Sequence, residues 1–256
     1  MHERITADLQ APPKDVEPIG GLVRLYHNAS PEDVASIAEV GIVPGGLKGE
    51  VYCGIANAIA DRLAPSAYKR QGVLRQNVVF AWLNPEDSTK KSPKLVTTMI
   101  DVEPERVYVG DLSSSGYLSS RSWELVYPAY SHSLSYLDDS NWSPEKQDAY
   151  AELFDRHFFD ADFNERIAAF HPEASLDTMD ALGKALIESK KAVWEKARPV
   201  AREYWRRVVP LKTFQDNYHL DSRTQMWVPD IEGLVRIAEP EAMVPGVIPK
   251  ERVHTS

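Results

Sequence analysis

Residues 24 to 42 read RLYHNASPEDVASIAEVGI. An apolar run ends in Tyr26-His27, stops at Asn28-Ala29-Ser30 and turns at once into helix-forming sequence. A histidine at the C-terminal end of a strand, facing a loop, is well placed for chemistry. Its imidazole can donate or accept a hydrogen bond near neutral pH. Two further stretches pair a reactive residue type with a strand. GEVYCGIANAIADRLA carries Tyr52 on a very short strand that runs directly into a helix. PEAMVPGVIPKERV, near the C-terminus, carries Glu241.

Other candidates are weaker. His132, His157, His171 and His219 lack metal-ligand spacing, and no H-E-x-x-H occurs. Ser113-Ser114-Ser115 precedes Gly116 but is not the G-x-S-x-G elbow of a serine hydrolase. Cys53 adjoins Tyr52 and reads as an inert thiol rather than a nucleophile. Asp138-Asp139 and the Asp160, Asp162 pair read as helix-start acids, not as a metal pair. No metal site is expected.

The elements that position these residues follow from periodicity. Residues 1 to 20, with three prolines, read as a flexible arm. GLVRLYH is a strand. Ser30-Pro31-Glu32-Asp33 starts a helix, which Gly41 ends. Residues 50 to 54 read as a short strand, and Ile55, Ile59 and Leu63 form the stripe of a helix. RQNVVFAWL, LVTTMIDV and RVYVGD read as strands. Residues 112 to 130 are ambiguous, with a short helix expected around 120 to 127. From about 140 to 207 the period is helical. VVPLKTF, MWVPDIEGLVRIA and EAMVPGVIP then return to strand-like composition. The order is β-rich, α-rich, β-rich, which predicts an α+β domain over residues 21 to 256 with an inserted helical block at about 140 to 207. The dinucleotide G-x-G-x-x-G and the P-loop signature are both missing.

Composition narrows the class. The chain has 256 residues, 43% hydrophobic and 26% charged, as in an ordinary globular protein. No run of 18 apolar residues predicts a membrane span, and the polar N-terminus predicts no secretory signal. The single cysteine excludes an internal disulfide framework and a Cys-based zinc site, and suggests a cytoplasmic setting. A net charge of −9 argues against non-specific nucleic-acid binding. The densest basic stretch, SKKAVWEKARPVAREYWRR, reads as a solvated helix face backed by packed Trp194, Tyr204 and Trp205.

The order of the three stretches resembles the ADP-ribosyltransferase superfamily, in its His-Tyr-Glu branch of diphtheria-toxin-like and poly-ADP-ribose-polymerase-like enzymes. Members often read Leu-Tyr-His-Gly-Thr/Ser, then a helix, then Gly-Leu-x-Pro. Here the residues are LYHNAS, a helix, and Gly41-Ile42-Val43-Pro44. A Val/Ile-Tyr strand with an alanine-rich helix follows in the family, and here as VYCGIANAIA. A late Glu-x-x-Val before a Val/Ile-Pro element matches Glu241 and the Val-Pro-Gly-Val-Ile-Pro run. The likeness covers residues 22 to 130 and 204 to 254, but not the helical block. It departs from the family at Asn28, where glycine is usual. Glu239 lies on the same strand face as Glu241, and Glu241 is preferred for its distance from the Val-Ile-Pro element.

The resemblance implies a split β-sheet core and NAD as co-substrate. It implies that His27 binds the ribose hydroxyls, that Tyr52 stacks on nicotinamide, and that Asn28, Ala29 and Ser30 line the pocket. Glu241 would stabilise the cation that forms at C1′ as nicotinamide leaves. The implied activity is transfer of ADP-ribose to a protein, nucleic acid or small molecule, or to water. Two alternatives remain at this level. One is NAD-dependent RNA 2′-phosphotransfer, for which Arg24 and Arg236 are available. The other is an inactive module that binds ADP-ribose or a protein.

Overall fold

The computed structural model describes residues 21–44, 53–87, 94–137, 139 and 141–255. The expected arm at 1 to 20 and Tyr52 lie outside the described residues. Three antiparallel sheets and a run of helices make up an α+β fold. The strands are β1 (Val23–Ala29), β2 (Val78–Ala81), β3 (Val96–Val102), β4 (Tyr108–Asp111), β5 (Val209–Pro210), β6 (Tyr218–Asp221), β7 (Met226–Pro229), β8 (Pro240–Pro245) and β9 (Val253–Thr255). The helices are α1 (Val34–Val40), α2 (Cys53–Leu63), α3 (Ser66–Arg70), α4 (Leu112–Leu134), α5 (Pro144–His157), α6 (Phe163–Ala169), α7 (Leu176–Trp205) and α8 (Leu211–Asn217).

One sheet has the order β1-β3-β9 and another β2-β8-β4-β5, while β6 and β7 form a separate hairpin. Alternation of side chains sorts the cores. Val23, Leu25 and Ala29 of β1 pack with Ile100, Val79, Ala81, Val109, Ala242 and Val244 between the two larger sheets. Val78, Tyr108 and Met243 face the other way, against Ile55 and Ile59 of α2 and the long helices. The result is a layer of helices, a four-stranded sheet and a three-stranded sheet. The sheets join where Tyr26 bridges Trp82, with Tyr26 N–H to the Trp82 carbonyl at 3.0 Å and the reverse bond at 2.7 Å.

Several elements differ from expectation. The helical run begins at Leu112, well before residue 140. The serine-rich stretch 112 to 134 is one helix of 23 residues despite its modest propensity and an internal Pro128. Its buried face is Ser115, Leu118, Ser122, Val126, Ala129 and Ser133. Small residues at helical spacing let it lie close to α7, and tertiary packing overrides propensity. Ser133 Oγ bonds back to the Tyr130 carbonyl at 2.6 Å and accepts the Tyr150 hydroxyl at 3.0 Å, so the buried hydroxyl is satisfied.

Cys53 and Gly54 open α2 instead of closing a strand. Leu211 to Phe214, expected as strand, open the helix α8, with Leu211 and Phe214 buried at i, i+3 spacing after Pro210. Residues 75 to 77 form a 3-10 turn before β2, because the Asp61 carboxylate accepts the N–H groups of Arg75 and Gln76 at 2.6 and 3.1 Å. Gly41 ends α1 as expected, at φ 88°, with the Ile248 carbonyl 2.2 Å from where a Cβ would stand. Among the described residues no helix is long and apolar enough to cross a membrane.

Candidate functional site

His27 sits beside the junction of the two sheets. Its Nδ1 lies 2.9 Å from the Phe80 carbonyl. A carbonyl can only accept, so Nδ1 carries the proton and donates it. Burial holds the imidazole below the usual histidine range, although the bond to Phe80 opposes this. The ring is therefore neutral at pH 7, and Nε2 is left as an acceptor. No bond to Nε2 occurs among the described residues. Thr98, fully buried opposite His27, donates its hydroxyl to the His27 carbonyl at 3.2 Å and steadies this part of β1.

The residues that follow have varied fates. Asn28 remains within β1 opposite Thr97, whose hydroxyl lies 3.2 Å from Asn28 Oδ1. The only non-glycine residue with positive φ among those described is Gln225, so Asn28 sits in the strand without backbone strain. Ala29 is packed into the inter-sheet core. Ser30 is engaged in the turn before α1. Its Oγ accepts the Asp33 N–H at 3.3 Å and donates to the Asp33 carboxylate at 2.9 Å. The helix itself begins after Asp33.

Tyr52 has no described position, but the chain just beyond it is fixed. The N-terminus of α2 is held by Asp155, a buried residue of α5. Its two carboxylate oxygens accept the N–H groups of Gly54 at 3.2 Å and Ile55 at 3.3 Å. A Cβ on Gly54 would stand 3.0 Å from that carboxylate, so glycine permits the approach. The helical run thus fixes the start of α2.

Glu241 lies in β8 opposite Gly110, part-exposed. Glu239 precedes the strand. Its N–H donates to Asp111 at 3.1 Å and its carbonyl accepts from Leu112 at 2.8 Å, which fixes the start of β8 to the β4–α4 junction. Within β8, Glu241 shares a face with Met243, whereas His27 shares one with Val23 and Leu25. Strand alternation therefore starts the two side chains on opposite faces. Their backbones are two strands apart, roughly 10 Å, because β2 pairs with β8 and bridges to β1. The His27 ring turns toward the Phe80 carbonyl of β2.

A polar nest beside Glu241 was missed in the sequence. Arg75 is 3% exposed, and its Nε donates to Asn57 Oδ1 at 2.7 Å. Its guanidinium stacks on Tyr204 at 4.9 Å and Phe80 at 5.3 Å. The Tyr204 hydroxyl reaches Met243 Sδ at 3.3 Å. Burial pushes the Tyr204 hydroxyl up, the Arg75 charge opposes this, and the Glu241 charge adds to it. The available signal was Asn57 and Asp61 at i, i+4 on a largely apolar helix.

The arginines reserved for phosphotransfer are placed elsewhere. Arg24 makes a two-pronged pair with Asp101 at 2.8 and 3.0 Å, and His254 meets the same carboxylate at 2.9 Å. The charge of Arg236 acts on Asp221. Among the described residues no cluster of His, Cys, Asp or Glu could hold a metal. Compared with protein-family models, curated proteins and solved structures, the chain matches none.

Proposed function

We propose that this protein is an NAD-dependent ADP-ribosyltransferase that cleaves the bond between nicotinamide and ribose. One observation carries the reading. His27 is a neutral histidine of fixed tautomer, with Nδ1 committed to a backbone carbonyl and Nε2 left as an acceptor. Such a group suits a sugar hydroxyl, which must donate to it. A carboxylate two strands away, beside a buried cation, suits the other need, which is to face positive charge as it forms.

NAD, when bound, supplies a cationic leaving group. His27 Nε2 accepts a ribose hydroxyl hydrogen and fixes the sugar. Glu241 faces and stabilises positive charge near C1′. The C1′–N bond breaks with its electron pair going to nicotinamide. The acceptor's lone pair then forms the new bond to C1′, and the acceptor's proton passes to solvent water. The acceptor is a protein, a nucleic acid, a small molecule or water.

The test is release of nicotinamide from NAD by the pure protein. Glu241→Ala should lower the rate by about 100-fold or more, the scale for losing one preorganised charge stabiliser. His27→Ala should abolish release as well, with circular dichroism unchanged. Full activity in both variants would exclude the assignment.

A further inference from the structure

The basis of the inference is the buried charge of Arg75. A guanidinium 3% exposed cannot lose its proton and must be compensated. Asn57 and the rings of Phe80 and Tyr204 are neutral. Asp61 holds the backbone here, its two oxygens accepting the N–H groups of Arg75 and Gln76, and the Arg75 charge acts on it. Glu241 is a second carboxylate at this nest. Phe80 pairs directly with Met243, and Glu241 stands two residues along the same strand face, about 7 Å away. The Tyr204 hydroxyl is on Met243, and the charges of both Arg75 and Glu241 act on it.

We infer that Arg75 is a positioning residue for the Glu241 carboxylate, with Tyr204, delivered by the end of α7, as the wall that seats the guanidinium. This rests on the reading of Glu241 as the group that faces the cationic sugar. Arg75 is not itself placed at the sugar. Its part is to hold the carboxylate in one charge state and one direction, with Asn57 anchoring the guanidinium and Asp61 the backbone of residue 75, both from α2. The helical run thereby contributes to the site through Tyr204.

The experiment is a carboxyl titration by carbon-13 NMR on glutamate-labelled protein, with the Glu241 signal assigned from Glu241→Gln. In Arg75→Met the Glu241 carboxyl should titrate about one pH unit higher than in the unaltered protein. Arg75→Lys should recover most of the difference. An unchanged titration in folded Arg75→Met overturns the inference. Should Arg75→Met fail to fold, Glu241→Gln provides the reverse measurement. The Arg75 Nε–H resonance is expected to move, and a stationary resonance overturns the inference equally. Neither readout depends on turnover. If nicotinamide is never released, the proposed activity falls while the ion pair is still tested.

Discussion

Replacing Asp155 by alanine probes how the helices hold the start of α2. The carboxylate accepts two backbone N–H groups, at 3.2 Å from Gly54 and 3.3 Å from Ile55. Both distances are at the long end, so each bond is set at about 1 kcal/mol instead of the larger value usual for charged acceptors. Leaving part-buried N–H donors without an acceptor adds about 1–2 kcal/mol. The expected loss for Asp155→Ala is therefore about 3–4 kcal/mol, and about 1 kcal/mol for Asp155→Asn, which keeps one acceptor oxygen. Urea denaturation reads the stability. Hydrogen exchange reads the location, because the amides of Gly54 and Ile55 should lose protection before the centre of α7 does. If the two amides remain as protected in Asp155→Ala as in the parent, the carboxylate is not what fixes α2.

Two other perturbations carry distinct signs. Gly41→Ala should cost about 3–5 kcal/mol in urea unfolding. This sums the left-handed backbone strain with the loss of the mutual Ile42–Ile248 hydrogen bonds, both 2.9 Å, that the new methyl would displace. A cost under 1 kcal/mol would mean the Ile248 segment simply moves aside. His171 stacks on Trp142 at 5.0 Å with its Nε2 buried and unpaired, and burial drives it down to about 4. The unfolded chain takes up that proton first, so stability is fully present above pH 6.5 and is lost as pH falls toward 4. Because the ring is only part-buried, the loss is set at about 1 kcal/mol. His171→Phe should flatten that portion of the stability–pH curve, and an unflattened curve would assign the slope to other groups.

What could be read in the sequence was what repeats locally. The alternation of β1 and β3, the glycine stop after α1 and the stripe of Ile55, Ile59 and Leu63 are properties of neighbouring residues, and they appear where periodicity places them. The basic stretch in α7 also reads correctly, with Tyr204 and Trp205 buried and Trp194 half-buried. What failed depends on partners distant in the chain. Serines at 112 to 134 form a helix because α7 lies against them. Arg75 is buried because Asn57, Phe80 and Tyr204 converge on it from three elements. His27 could be picked out as a strand-end histidine, but its tautomer is set by the carbonyl of residue 80, which no local pattern announces. The register that starts His27 and Glu241 on opposite faces is likewise a property of the paired strands alone.

The helical run leaves the sheet at β4 and returns at β5, and these two strands are neighbours, with Val109 opposite Val209. Closing so long a segment before any other structure forms would be entropically expensive. Helices that first assemble among themselves bring their two ends to one sheet edge and reduce that cost. The folding order is thereby constrained. Contacts among α4, α5 and α7, which are near in sequence, can form early, whereas β8 must find both β2 and β4 from far along the chain. The strand that carries Glu241 is thus held by the longest-range pairings of its sheet, and contact order assigns it a late place in folding.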